Sequence, residues 1–162
     1  MTRRLIVLIV LFSTESFAQT VEDTTRAAAR RPYHSFGFNA SFVSGIGISY
    51  RNHTAGPSLF QVTGSVFSSE GSVFYSVGLE MQIELSSNPG FRYYIPIALG
   101  LYVPESKTTT VVGLGMGLEV PVIGPGIYEG VTIGGELFYP AVYLSTKNSV
   151  GLGGSIYIFY NL

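Results

Sequence analysis

From His34 to the C-terminus, large apolar residues alternate with small or polar ones, the period-2 pattern of strands whose two faces meet different surroundings. The pattern is clearest over 73–85, where Val73, Tyr75, Val77, Leu79, Met81, Ile83 and Leu85 alternate with Phe74, Ser76, Gly78, Glu80, Gln82 and Glu84. No helical period fits that run. Residues 91–103 repeat it, with Phe91, Tyr93, Ile95, Ile97 and Leu99 on one face and Arg92, Tyr94, Pro96 and Ala98 on the other. Shorter or noisier alternation predicts strands over 34–43, 46–53, 59–68, 111–122, 131–143 and 150–162, which makes eight. The segments between them are rich in Gly, Ser, Asn and Pro and are of hairpin length, so neighbouring strands should pair antiparallel in up-and-down order.

The two faces differ in charge and in size. Arg51, Glu80, Glu84, Arg92, Glu119 and Glu136 fall inside predicted strands, and all six oppose the large aliphatics. The apolar face carries Leu, Ile, Val, Met, Phe and Tyr, whereas the other carries Ser, Thr, Glu and the glycines 113, 115, 117, 151 and 153. A closed eight-stranded sheet has an interior only just wide enough for side chains, so the small face belongs inside. The large face then points outward, where lipid suits it better than water. Tilted strands of about ten residues cross a bilayer, and closure leaves no unpaired edge in hydrocarbon. The expected fold is therefore all-β, an eight-stranded antiparallel up-and-down transmembrane β-barrel. Tyr50, Tyr75, Phe91, Tyr93, Tyr139, Tyr143 and Tyr160 lie on the outward face, most of them near strand ends, and form a candidate aromatic girdle. The six inward charges form a candidate lumen network that plugs the barrel, with a cation or proton path, or a ligand site, as the competing role.

Over residues 33–162 this pattern resembles the small eight-stranded outer-membrane barrels of bacteria. The resemblance implies insertion by the barrel assembly machinery, which reads an alternating last strand such as Ile156, Ile158, Tyr160 and Leu162. The chain departs from that family in ending on Leu rather than an aromatic residue, and in lacking long outer loops. With both termini in the periplasm, the outward connections are those around Ser44, Ser69, Glu105 and Lys147.

The first 18 residues carry the marks of a cleaved secretory signal: Arg3 and Arg4, the apolar run 5–12, and Ser16-Phe17-Ala18. That apolar run is too short to cross a bilayer as a helix. Residues 19–32 are polar and lack either period, and are read as a flexible periplasmic lead-in. Removing the signal leaves seven basic and nine acidic residues, which offers no basic field for nucleic acid. The absence of Cys excludes disulfides, thiolate metal sites, Cys nucleophiles and a lipoprotein anchor.

Candidate chemistry is sparse. The two histidines, His34 and His53, sit at strand ends, and no spacing pairs either with a nucleophile, so no catalytic, metal or cofactor residue is assigned and no cofactor is expected. Gly113-x-Gly115-x-Gly117 has the wrong spacing for a phosphate loop and should instead make room for Tyr94 and Tyr102 of the preceding strand. Pro96 removes a ladder donor in mid-strand and calls for a bulge or a wet seam; Pro121 and Pro140 share its inward parity. The function expected from sequence is a structural or minor envelope role as a monomer among outer-membrane lipids. The alternatives are a lipid-modifying enzyme, a narrow solute or ion conduit, and a secreted soluble ligand-binding barrel.

Overall fold

The structure is a computed structural model that describes residues 32–69, 72–104, 108–145 and 148–162. The expected signal peptide, and all of the expected lead-in but Pro32, lie outside the described residues. The strands are β1 (Tyr33–Ser41), β2 (Ile46–His53), β3 (Ser58–Ser69), β4 (Ser72–Asn88), β5 (Phe91–Val103), β6 (Thr109–Gly126), β7 (Glu129–Leu144) and β8 (Ser149–Asn161). They pair antiparallel in sequence order, and β1 pairs with β8 from Ser35↔Asn161 to Ser41↔Ser155, so the sheet is a closed barrel. All eight expected strands are present.

Closure sorts the side chains as the alternation requires. Along β2 and β5 the burial pattern switches at nearly every residue, and Arg51, Arg92, Tyr94, Glu119 and Phe159 are among the largest fully buried side chains. Leu79, Val77, Leu101 and Ile158 are exposed on the outside. The glycines make this interior possible. The Tyr94 ring lies across Gly117, where a Cβ would overlap it, and the Tyr157 hydroxyl occupies the corresponding space at Gly134.

Five details depart from the sequence expectation. First, β1 stops at Ser41 rather than 43, because residues 42–45 do not continue the wall: Val43 and Ser44 are buried inside the barrel. The connection at Ser44 lies at the end opposite the termini and folds back into the lumen. Second, Gly113 makes room for Val43 and Phe138 instead of a tyrosine, with Val43 Cγ1 only 2.8 Å from where a Cβ would stand. Tyr102 bonds the inward turn: its hydroxyl accepts from Gly45 N at 3.0 Å and donates to Ser41 O at 2.7 Å.

Third, Pro96 is buried and faces inward, as expected, but no bulge accompanies it. It pairs opposite Gln82 on the β4 side; toward β6 the ladder drops out between Tyr94↔Gly117 and Ile97↔Leu114 and resumes in the same register. The missing donor is met by an open stretch of ladder. Fourth, Pro140 is exposed, not inward. Both ladders of β7 shift register between Phe138 and Ala141, so Phe138 and Ala141 point inward while Tyr139 and Pro140 stand outside. An extra residue in one strand flips every later side chain to the other face. Fifth, for that reason Tyr143 is half-buried and packs against the interior cluster of Val43, Ala98, Val111, Phe138 and Ala141 instead of standing in an outer girdle.

The packing yields a paired prediction. Gly117→Val should lower stability by about 1–3 kcal/mol through overpacking against Tyr94. Gly64→Ala, whose Cβ would come no nearer than 3.9 Å to Ser76 O, should shift it by about 0.5 kcal/mol or less. Urea midpoints of the two refolded variants check both.

Candidate functional site

The interior is a stack of layers along the barrel axis. The most highly charged layer lies toward the end that carries the termini, where Arg51 of β2, Arg92 of β5 and Glu119 of β6 arrive from different sides. Glu119 Oε2 accepts Arg51 Nη1 at 3.0 Å and Arg92 Nη2 at 2.5 Å, with all three side chains essentially inaccessible. Its Oε1 accepts Thr132 Oγ1 at 2.6 Å, and the Tyr157 hydroxyl adds a further bond at 3.2 Å. One carboxylate therefore collects four donors from four strands. The guanidinium of Arg51 is also sandwiched over the rings of Phe159 and Tyr157, at 3.6 and 4.1 Å from their centroids, and that of Arg92 lies 4.5 Å from the Tyr94 centroid. Such contacts stabilise a desolvated cation without adding another anion.

The next layer holds the other two buried carboxylates. Arg92 Nη2 donates to Gln82 Oε1 at 2.7 Å, which fixes the orientation of that amide. Its Nε2 is then turned to Glu80 Oε1 at 2.6 Å and Glu136 Oε1 at 3.2 Å. Glu136 also accepts from the Tyr94 hydroxyl at 2.9 Å and from Ser155 Oγ. Arg51 Nε is engaged by Gln61 Oε1 at 2.6 Å. Each guanidinium binds Glu119 and one glutamine carbonyl, with Arg51 Nη2 and Arg92 Nε left without a hydrogen-bond partner, and among Glu80, Glu119 and Glu136 the ion pairs fall on Glu119. Glu80 and Glu136 are held by neutral donors alone.

Five of the six expected network residues thus line the lumen, in two connected groups. Glu84 keeps its place opposite inward Tyr94 but stands half-buried at the mouth, where it accepts from Ser87 Oγ at 2.5 Å and lines a small pocket with His53 and Arg92. Of the expected girdle, Tyr50, Tyr75, Tyr93, Tyr139 and Tyr160 are exposed and Phe91 is half-buried, while Tyr143 has turned inward. Phe36 and Phe38 of β1 also stand outside.

One pairing at the mouth had no signal in the sequence. Ser35 Oγ lies 3.0 Å from His53 Nε2, the contact expected of a nucleophile and its base. The bond polarity runs the wrong way for that chemistry. Asn161 Nδ2 donates to Ile127 O at 2.8 Å, so its Oδ1 faces Ser35 and takes the hydroxyl proton at 2.6 Å. His53 must then donate through Nε2, and Ser35 has no proton left to give it. Ser35 is also fully buried, and Tyr33 stacks on the His53 ring at 3.7 Å. The group is a clamp that ties β1, β2, β8 and the β6–β7 turn together. His34, the other histidine, bonds the Tyr50 hydroxyl through Nδ1 at 2.8 Å on the outer surface. Among the described residues no group of three or more His, Asp or Glu is placed to hold a metal ion.

No family model, no curated protein and no solved structure matches the chain.

Removing the shared anion tests the ion-pair layer. Glu119→Gln leaves two buried guanidinium groups without a carboxylate and should cost about 3–5 kcal/mol in denaturant unfolding. Glu84→Gln, near the mouth, should cost about 1 kcal/mol or less.

Proposed function

We propose that this chain is an integral β-barrel of the bacterial outer membrane whose lumen is closed by its own residues, acting as a structural element or minor interaction partner of the envelope. The observation that carries this reading is the inverted distribution of polarity. At least 34 large hydrophobic residues are exposed on the barrel's outside and rims, while Arg51, Arg92 and Glu119 are buried at its centre. A water-soluble barrel with that exterior would present far more contiguous apolar surface than monomers tolerate. Lipid removes the cost, and the closed ladder leaves few backbone groups for lipid to satisfy.

The packed interior argues against a soluble ligand-binding barrel, because the space such a ligand would need holds Tyr94, Tyr157, Phe159 and the two arginines. It also argues against an open conduit. The Ser35–His53 polarity gives a lipid-modifying enzyme no activated nucleophile at that pair. Outer-membrane lipids and, during insertion, the barrel assembly machinery are the proposed partners of a monomer exported by its N-terminal signal.

Two measurements test the reading. In fractionated cells the protein should appear in the detergent-extracted outer membrane as a heat-modifiable band; recovery in the soluble periplasm would refute the proposal. Leu79→Arg, on the exposed face in mid-strand, should cost about 2–4 kcal/mol in lipid vesicles. On a water-facing surface the same change would be worth about 0.5 kcal/mol or less.

A further inference from the structure

At the end of the barrel distal to the termini, residues 42–45 dip into the lumen while the neighbouring wall runs on past them. On its β2 side β3 is paired only as far as Gly64, and on its β1 side β8 only as far as Ser155. The turn is seated partly on bare backbone. The carbonyl oxygens of Val43 and Ser44 press on Gly100 and Gly78, where any Cβ would collide with them. The Val43 side chain fills the space above Gly113 and Gly153. A sequence that keeps four glycines for one turn has built a seat for it.

The turn is also self-contained. Ser41 N donates to Gly45 O at 3.1 Å, and Ser41 Oγ accepts Val43 N and Ser44 N at 3.0 and 2.9 Å. Gly45 and Gly47 flank its exit at φ +90° and +142°, conformations that favour glycine and suit a pivot. Few bonds tie it to the wall: Phe42 N to Gly154 O, the two Tyr102 hydroxyl bonds, and Ile46 N to Ser76 Oγ at 3.0 Å. Beneath it, Asn39 Nδ2 reaches up to Ser44 Oγ and Gly45 O, both at 3.1 Å, and across to Thr63 Oγ1. The turn can leave as a unit without opening a pair of the β1–β2 ladder.

What lies below is rich in acceptors. Glu80 and Glu136 are carboxyl groups that no arginine contacts, and Asn39 Oδ1 and Glu80 Oε2 are buried without a hydrogen-bond partner. Both arginines are engaged one layer further down, where with Glu119, Tyr157 and Phe159 they close the barrel. We propose that the β1–β2 turn is a gate seated over a blind, outward-opening polar cup, and that the cup takes small cationic solutes. The outward direction rests on the membrane reading above; the gate and the cup do not.

The chain has no cysteine, so Thr63→Cys places a single reporter directly under the turn. Its reaction with a cationic and with an anionic methanethiosulfonate is measured on detergent-refolded protein, then in vesicles with the conductance recorded. With the turn seated, labelling should be slow. Loosening it with Tyr102→Phe and Ser76→Ala, or with Val43→Gly, which alters no wall residue, should speed labelling about tenfold or more. The cationic reagent should be faster, and no conductance should appear. Heat-modifiability of each variant confirms that the barrel has folded. Equal rates in the seated and loosened proteins would overturn the gate, equal rates for the two reagents would overturn the cation preference, and through-conductance would overturn the blind floor. Labelling in detergent needs no bilayer, so failure of the membrane reading would be seen in fractionation and would leave this result standing.

Discussion

The interior of a closed eight-stranded sheet is narrow, and the rest of this molecule follows from that limit. A cylinder this small cannot hold a large residue at every inward position. Several bulky inward groups therefore face glycines: Tyr94 lies over Gly117, Tyr157 over Gly134, and Val43 over Gly113 and Gly153. The same limit sets the polarity of the two faces. Most large aliphatics go outside, and an exterior made of them is better suited to lipid than to water.

Filling the lumen with charge carries its own requirement. Buried ions are destabilising unless their hydrogen bonds are satisfied, and the geometry here concentrates that duty on one carboxylate. Glu119 draws donors from β2, β5, β7 and β8, so the ion-pair layer cross-links strands that never touch in the ladder. Gln61 and Gln82 extend the cross-links to β3 and β4. The ring of strands and the knot at its centre thus hold one another in register. At one end the Ser35–His53–Asn161 clamp lies beside the β1–β8 seam, and at the other the inward turn fills the bore.

The irregular positions are those where the ladder and the lumen compete. Pro96 keeps its inward parity because β6 tolerates a gap in pairing opposite it. Pro140 moves outside because β7 carries an extra residue there. That single bulge brings Ala141 inward behind Phe138 and turns Tyr143 toward Val43, so the socket of the inward turn depends on a defect two strands away from it.

The strand count, the order of pairing, the two-faced character of the wall and the inward placement of Arg51, Glu80, Arg92, Glu119 and Glu136 were all legible in the sequence. Each is a consequence of a local period of two, and a local period survives whatever the strand pairs with. Register shifts, the seating of 42–45, the polarity of the Ser35–His53 contact and the height of Glu84 at the mouth were not legible. They depend on which atoms meet across the lumen or across a ladder, between residues such as Arg51 and Glu119 that stand 68 positions apart. Alternation assigns a side chain to a face; only closure of the barrel decides its height along the axis, its partner and the direction of its proton.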